Sequence, residues 1–268
     1  MAPVNLFRRA LVEPMSFPVM MIHGMCCTGD VWQNFRSYFE ARGNPVFTPT
    51  LRPDQRMRRG APRSLGQVTL ADYAEDLAAE VAEVRRVTGQ RPALIGHSMG
   101  GLLTQLMAER DLISAAVLLS PTPPKDARGK RDHMLWGAIR LFGSVGLVPS
   151  IIRVPAPAAN RRVLNVAEGE ARQRANSTFV AESGRVFRDF ATCSIDTELV
   201  QVPVLTVSAR RDRLVPPRWT RMVGEKYAAV GGDFIEYDDH GHWIYDEPGW
   251  ERPAEEIHEW LHRRAKAG

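Results

Sequence analysis

The chain has 268 residues, of which 44% are hydrophobic and 25% are charged, and its formal net charge is +4. This length predicts one α/β domain over 1–268 rather than two domains. No apolar run is long enough to cross a bilayer, and the first residues lack the apolar stretch of a signal peptide, so we expect a cytoplasmic protein without membrane partners. So mild a positive charge does not require a nucleic-acid partner, and none is expected.

Short apolar runs alternate with amphipathic stretches along most of the chain. The predicted strands cover 17–22, 45–49, 92–95, 113–120, 203–208 and 233–237. The predicted helices cover about 30–42, 69–88, 101–110 and 250–264. Strands that alternate with helices are typical of a doubly wound, mostly parallel sheet, and such a sheet holds its ligand site at the carboxyl ends of its strands.

Residues 121–200 interrupt this alternation. They begin with the proline-rich run 121–124 and contain helical stretches such as 135–142. Because the segment leaves and re-enters the predicted sheet at strand ends, we predict an inserted helical lid over about 121–200. Most of the basic surplus lies here, since 121–195 hold 12 Lys or Arg and 6 Asp or Glu. A basic rim would attract anionic substrates, although a solvated surface is the simpler interpretation.

Residues Gly96–Gly100 fit the pattern G-x-S-x-G. The pattern stands between a predicted strand and a predicted helix, which is the context of a nucleophile elbow. Glycines in this context allow close backbone approach and a strained turn. Ser98 would then lie at the carboxyl edge of the sheet and at a helix N-terminus, where developing negative charge is stabilised. The sequence therefore predicts Ser98 as a nucleophile.

A serine hydroxyl needs a base that takes its proton and a third group that orients the base. Asp212 is the only carboxylate in the loop after the strand at 203–208, and it is the predicted acid. The last strand leads into two candidate bases, His240 and His242. We favour His242 because it follows a longer turn from the strand. Asp238 and Asp239 are the alternatives to Asp212.

Four features fall in one order along the chain: His23-Gly24 after the first strand, the Ser98 elbow, the Asp212 loop and Gly241-His242-Trp243. In this order the chain resembles the α/β-hydrolase superfamily over almost its whole length. The resemblance implies that Ser98, His242 and Asp212 form a catalytic triad. It also implies that the backbone N–H groups of Met25 and Met99 form an oxyanion hole.

The chain departs from many members of that superfamily at the rim of the site. Residues 51–60 replace a glycine-rich turn, and the segment 23–26 lacks the extra glycines of HGGG-type lipases, which disfavours a lipase. A serine nucleophile also disfavours epoxide hydrolase and haloalkane dehalogenase chemistry. The side chains expected to line the substrate pocket are those of His23, Trp136, Phe142 and Trp243.

The leading hypothesis is a serine hydrolase that cleaves carboxylic esters of medium-sized hydrophobic substrates, with lactones, thioesters and amides as further candidates. One alternative is a C–C hydrolase or lyase of the hydroxynitrile-lyase and methylesterase type, and another is a non-catalytic ligand-binding protein on the same fold. We expect a small-molecule substrate and a monomer or homodimer. The three cysteines, Cys26, Cys27 and Cys193, have no metal spacing and an odd count, so free thiols are expected, with no metal and no cofactor.

Overall fold

The computed structural model describes residues 16–127 and 150–265. The strands in these ranges are β1 (Val19–Ile22), β2 (Val46–Phe47), β3 (Ala93–His97), β4 (Ala115–Leu119), β5 (Ile151–Ile152), β6 (Glu182–Ser183), β7 (Val204–Ala209) and β8 (Asp233–Tyr237). Six of them form one sheet in the order β2-β1-β3-β4-β7-β8, and each neighbouring pair is parallel. A second, antiparallel pair joins β5 and β6. The predicted mostly parallel α/β sheet is confirmed.

Helices cover both faces of the six-stranded sheet. In the described part of the chain they are α1 (Gln33–Glu40), α2 (Leu70–Thr88), α3 (Met99–Glu109), α4 (Ala156–Arg162), α5 (Gly169–Thr178), α6 (Gly184–Asp189), α7 (Pro217–Ala228) and α8 (Glu251–Ala265). No helix in these ranges is long and apolar enough to cross a membrane. The start of α2 is fixed by a capping box in which Thr69 accepts from the Asp72 N–H and Asp72 accepts from the Thr69 N–H.

Alternate residues of the central strands supply two hydrophobic layers, one on each face of the sheet. Met20 and Ile22 of β1 pack with the apolar faces of α2, α3 and α7, whereas Val19 and Met21 pack with α1 and α8. This is the period of two that a strand imposes on its side chains. Because the central strands are buried on both faces, they read in the sequence as continuous apolar runs.

Two predicted elements are shorter than expected. β2 holds two residues, where the sequence predicts a strand over 45–49. Pro45 and Pro49 flank it, and proline has no N–H to donate to a neighbouring strand. The helix predicted over about 30–42 is divided into a 3₁₀ turn, Gly29–Trp32, and α1.

The chain between β4 and β7 leaves the six-stranded sheet and returns to it. Its described part holds the β5–β6 pair and three short helices, α4 to α6. Several of its apolar side chains pack against the sheet domain, among them Ala181 and Val186. The helical stretch expected at 135–142 lies outside the described residues.

Candidate active site

Ser98 occupies a strained turn between β3 and α3. Its backbone has φ 53° and ψ −114°, a conformation that a residue with a Cβ rarely adopts. The turn is held on both sides, because the Ser98 N–H donates to the Leu119 carbonyl over 3.0 Å and the Thr122 N–H donates to the Ser98 carbonyl over 2.8 Å. Strain of this kind persists only where the surrounding structure enforces it.

The glycines around Ser98 are required by close backbone approach. A Cβ on Gly96 would lie 2.2 Å from the Gly100 carbonyl oxygen, and a Cβ on Gly100 would lie 2.2 Å from the Ile22 carbonyl oxygen. The second contact brings the first turn of α3 against the end of β1. Ser98 is thereby placed beside the loop that follows β1, which contains Met25.

Asp212 and His242 are joined by a short hydrogen bond. His242 Nδ1 lies 2.7 Å from Asp212 Oδ2, and both side chains are buried. The other carboxylate oxygen, Oδ1, accepts from the Leu214 and Val215 N–H groups at 2.8 Å each. Because Asp212 is anchored in this way by its own loop, it presents one oxygen to His242 in a fixed direction. A carboxylate on Nδ1 leaves Nε2 free to act as a base.

The loop that carries His242 is held by a buried carboxylate. Glu247 accepts from the Gly241 N–H over 2.6 Å and from the Trp243 N–H over 3.2 Å. Its side chain is fully buried. The residues on either side of His242 are therefore both fixed by Glu247.

The competing histidine, His240, is placed elsewhere. It is buried, packs edge-on against Tyr237, and does not lie among the described residues that line the cavity around Ser98. Its Nδ1 lies 3.5 Å from the Glu247 carboxylate. The structure thus brings His242, and not His240, to both Asp212 and the cavity.

Ser98 and His242 line one cavity at the carboxyl edge of the sheet, with a volume of about 820 Å³ when its open mouth is included. Met25 and Trp243 also line it. Other apolar residues of the lining include Val163, Phe179, Phe187, Phe190, Leu214 and Trp219. Among the described lining residues there is no Asp, Glu, Lys or Arg. The aromatic residues Phe179, Phe187 and Phe190 all come from the segment between β4 and β7.

Two of the expected pocket residues, Trp136 and Phe142, lie outside the described residues. His23 is fully buried and does not belong to the described lining. Its Nδ1 lies 2.9 Å from the Gly24 carbonyl oxygen and its Nε2 accepts from the Leu51 N–H over 3.2 Å, so it lies behind the loop after β1. Burial, with the nearby Arg56 charge, lowers the pKa of His23 well below 6.5.

The two residues expected to supply oxyanion N–H groups belong to two different elements near Ser98. Met99 begins α3, and Met25 lines the cavity from the loop after β1. The following residue, Cys26, has φ 61°. Burial raises the pKa of the Cys27 thiol to about 12 and raises that of Cys26 as well, which disfavours either cysteine as a nucleophile.

Sequence reasoning missed the buried ionic group behind this loop. Arg56 lies in an arginine-rich stretch that the sequence favours as a solvated loop, but its side chain is 0% exposed and its Nη2 lies 2.7 Å from the equally buried Glu182 Oε2. Nothing in the local sequence separates Arg56 from the exposed Arg58 and Arg59. Glu247 was also missed; its position five residues after His242 was the only signal available.

Comparisons with known proteins show the fold and the family of the chain. The model of the alpha/beta hydrolase family matches residues 19–259. No curated protein sequence shows significant similarity to the chain. A solved methylesterase from Arabidopsis is similar in structure, with a TM-score of 0.71 and 14% identity over 91% of this chain and 98% of that one.

Two further solved structures are similar over nearly their full length. A pyrethroid hydrolase from Sphingobium faniae JZ-2 has a TM-score of 0.71 and 20% identity, covering 94% of this chain and 99% of that one. Polyneuridine aldehyde esterase has a TM-score of 0.67 and 18% identity, covering 90% and 99%. At these identities the similarity shows the fold, whereas the family model covers most of the sequence. The chain belongs to the alpha/beta hydrolase family.

Proposed function

We propose that this hydrolase cleaves carboxylic esters of medium-sized, uncharged hydrophobic substrates through an acyl-serine intermediate. The observation that carries the proposal is that Ser98 and His242 line one apolar cavity while His242 Nδ1 is bound to Asp212 over 2.7 Å. Solved structures of similar fold are named as esterases and a pyrethroid hydrolase, which supports ester chemistry. Lactones and thioesters remain candidate substrates because they react by the same acyl transfer.

In the proposed reaction, Ser98 Oγ attacks the ester carbonyl carbon while His242 Nε2 takes the hydroxyl proton. The carbonyl oxygen becomes an oxyanion, which the Met25 and Met99 N–H groups would stabilise. Collapse of the intermediate expels the alcohol, to which His242 returns the proton. Water then attacks the acyl-serine with His242 as base, releasing the acid and regenerating Ser98.

Asp212 has two roles in this scheme. It keeps the proton of neutral His242 on Nδ1, so that Nε2 faces the serine, and it stabilises the imidazolium that forms. The segment between β4 and β7 would act as the lid, because its phenylalanines form part of the cavity wall. A cavity with mainly apolar walls lowers the local dielectric and so strengthens each of these polar interactions.

The test is covalent labelling combined with a substrate panel. A fluorophosphonate probe should modify Ser98, as located by peptide mass spectrometry, and p-nitrophenyl esters of graded acyl length should be hydrolysed with a burst of p-nitrophenol. Ser98→Ala should lose both the label and the activity, whereas Ser114→Ala, at an exposed position, should keep both. A label on another residue of active protein would overturn the proposal.

The same panel separates the alternative chemistries. A C–C lyase would act on cyanohydrin-type substrates without an acyl-enzyme burst. A ligand-binding protein would bind the esters without turning them over.

We also propose, from the sequence alone, that the enzyme is cytoplasmic and works as a monomer or homodimer without a cofactor or metal. Size-exclusion chromatography with light scattering tests the oligomeric state.

A further inference from the structure

We propose that the buried Arg56–Glu182 ion pair is a positioning device for the oxyanion loop, which we define as residues 24–27. The inference rests on the proposed function, in which the Met25 N–H stabilises the oxyanion. Arg56 and Glu182 would hold that N–H in position. Neither residue is itself part of the cavity lining that the structure describes. Both act on catalysis through the backbone of the loop.

Glu182 uses both carboxylate oxygens. Oε2 accepts from the Cys26 N–H over 3.2 Å and from Arg56 Nη2 over 2.7 Å. Oε1 accepts from the Tyr73 hydroxyl over 2.6 Å and from the Ser183 N–H over 2.8 Å. The bond to Cys26 fixes the peptide plane that directly follows Met25, so the carboxylate determines the course of the oxyanion loop at this point.

Arg56 holds the other end of the loop through His23. Its Nη1 lies 2.9 Å from His23 Nε2, and His23 Nδ1 donates to the Gly24 carbonyl over 2.9 Å. A guanidinium and a backbone N–H can only donate, so His23 Nε2 shares its lone pair between Arg56 and the Leu51 N–H. The Nδ1–H tautomer of a neutral His23 fits these contacts and the bond to Gly24. One ion pair therefore reaches the backbone of the loop at Gly24 and at Cys26.

The segment that carries Glu182 also contacts the loop by its own backbone. The Val180 N–H donates to the Cys26 carbonyl over 2.9 Å, and the Ala181 N–H donates to the Met57 carbonyl over 3.1 Å. Cys26 is thus bound at its N–H and at its carbonyl by neighbouring residues of one strand-like segment. These bonds hold Cys26 at φ 61°, which a side-chain-bearing residue otherwise avoids.

Stability alone does not account for an ion pair at this position. A buried pair is often replaced by well-packed hydrophobic residues without loss of stability, because desolvating two charges costs as much as their attraction supplies. What hydrophobic residues cannot replace is an acceptor aimed at the Cys26 N–H and a donor aimed at His23. The geometry therefore favours preorganisation of a backbone donor that acts in the transition state.

The loss of this support should affect the transition state more than substrate binding. The cavity walls that bind the ester come mainly from other elements, whereas a displaced Met25 N–H meets the oxyanion at the wrong distance. For Glu182→Gln and Arg56→Lys we expect kcat to fall by about 10- to 100-fold while KM changes by less than about twofold. The affinity for a tetrahedral trifluoromethyl ketone inhibitor should fall by the same factor as kcat.

The control is Arg58→Met. Arg58 also links the loop after β2 to the inserted segment, through a bond from Nη1 to the Ser177 carbonyl over 2.9 Å, but it is exposed and does not touch the oxyanion loop. This variant should keep kcat and inhibitor affinity within about twofold of the starting protein. The comparison separates positioning of the loop from general attachment of the inserted segment.

A double variant, Arg56→Met with Glu182→Leu, distinguishes a positioning role from the effect of leaving one buried charge unpaired. It removes both charges and roughly fills their volume, but it leaves the Tyr73 hydroxyl and the Cys26 and Ser183 N–H groups without their acceptor, so its melting temperature should be lower than that of the starting protein. At a temperature where it is folded, it should still show the reduced kcat and weaker inhibitor binding. Recovery of kcat in the double variant would overturn the inference, since unpaired charge would then explain the single variants. If a single variant is recovered unfolded, the double variant carries the comparison.

Failure of this inference is distinguishable from failure of the proposed function. Full activity in Ser98→Ala would reject the acyl-serine mechanism itself. If Ser98→Ala is inactive while Glu182→Gln and the folded double variant both keep kcat and inhibitor affinity within twofold, the mechanism stands and the positioning role is rejected.

Discussion

His97 Nε2 donates to the backbone carbonyl of His242 over 2.8 Å, and the centroids of the two imidazole rings lie 4.5 Å apart. His97 is the residue directly before the proposed nucleophile, so this bond joins the end of β3 to the loop of the proposed base. Burial, and to a smaller extent the neighbouring His242, lowers the pKa of His97 well below 6.5. His97 is therefore neutral in the folded protein at physiological pH, and its Nε2 carries the proton.

This burial makes stability depend on pH. An unfolded chain binds protons on His97 and His23 near pH 6.5, whereas the folded chain does not until the pH is well below that value. The unfolded state therefore binds more protons below pH 6.5, and the free energy of unfolding should fall as the pH decreases, by up to about 1.4 kcal/mol per pH unit for each histidine. Stability from this source is fully present above pH 6.5.

Urea denaturation between pH 5 and 7.5 measures this slope. His97→Gln keeps an N–H donor but cannot titrate, so its slope should be shallower than that of the starting protein by up to about 1.4 kcal/mol per pH unit. Equal slopes for the two proteins would contradict the proposed neutral state of His97.

The elbow glycines should tolerate no side chain. Gly100→Ala places a Cβ 2.2 Å from the Ile22 carbonyl oxygen, and we expect a loss of at least about 3 kcal/mol together with the loss of activity. The control is Gly89→Ala, where φ is 73° and nothing lies within 4 Å, so only the backbone conformation costs energy, about 1 kcal/mol. Equal losses of unfolding free energy in urea would show that close approach does not explain the elbow.

Glu247 should support His242 through the backbone on both sides of it. Glu247→Ala leaves the Gly241 and Trp243 N–H groups without their acceptor, which should cost about 1–3 kcal/mol for each group and lower kcat by about tenfold or more. Glu251→Gln, at an exposed position on α8, should change neither quantity. Urea denaturation and steady-state kinetics measure both; an unchanged kcat in the alanine variant would show that the loop keeps its geometry without Glu247.

The two histidines near the end of β8 should differ sharply. His242→Ala removes the partner of Asp212 from the cavity and should lower kcat by about a thousandfold or more. His240→Ala removes a buried ring that lies outside the described cavity lining, so its effect should fall mainly on the melting temperature, with kcat lowered by less than about tenfold. The reverse order of the two kcat values would make His240 the base.

The cavity should select against charge on the substrate. Since no described lining residue is ionic, a carboxylate bound there would be desolvated without a partner, and kcat/KM for an acidic ester should be at least about tenfold below that of its neutral counterpart. Kinetics of such a pair across a salt series measure this directly. An acidic ester that is preferred at low salt and loses its advantage at high salt would instead indicate steering by the basic surplus of 121–195.

Local patterns in the sequence were sufficient to predict the main strands of the sheet and the order in which the candidate site residues follow one another along the chain. The apolar runs that became β1, β3, β4 and β7 are continuous because parallel strands are buried on both faces. The elbow could be predicted because Gly96, Ser98 and Gly100 stand in five consecutive residues between a strand and a helix. Chain order then identified Asp212 and His242 as candidates.

The tertiary structure alone decided which distant residues support that site. Arg56 and Glu182 are 126 residues apart, and His97 and His242 are 145 apart, so no periodicity or turn signal connects them. Sequence describes charge but not solvent access, which is why Arg56 resembled its exposed neighbours. Turn length in the sequence favoured His242 over His240, and the fold then turns His242 toward Asp212 while His240 packs against Tyr237.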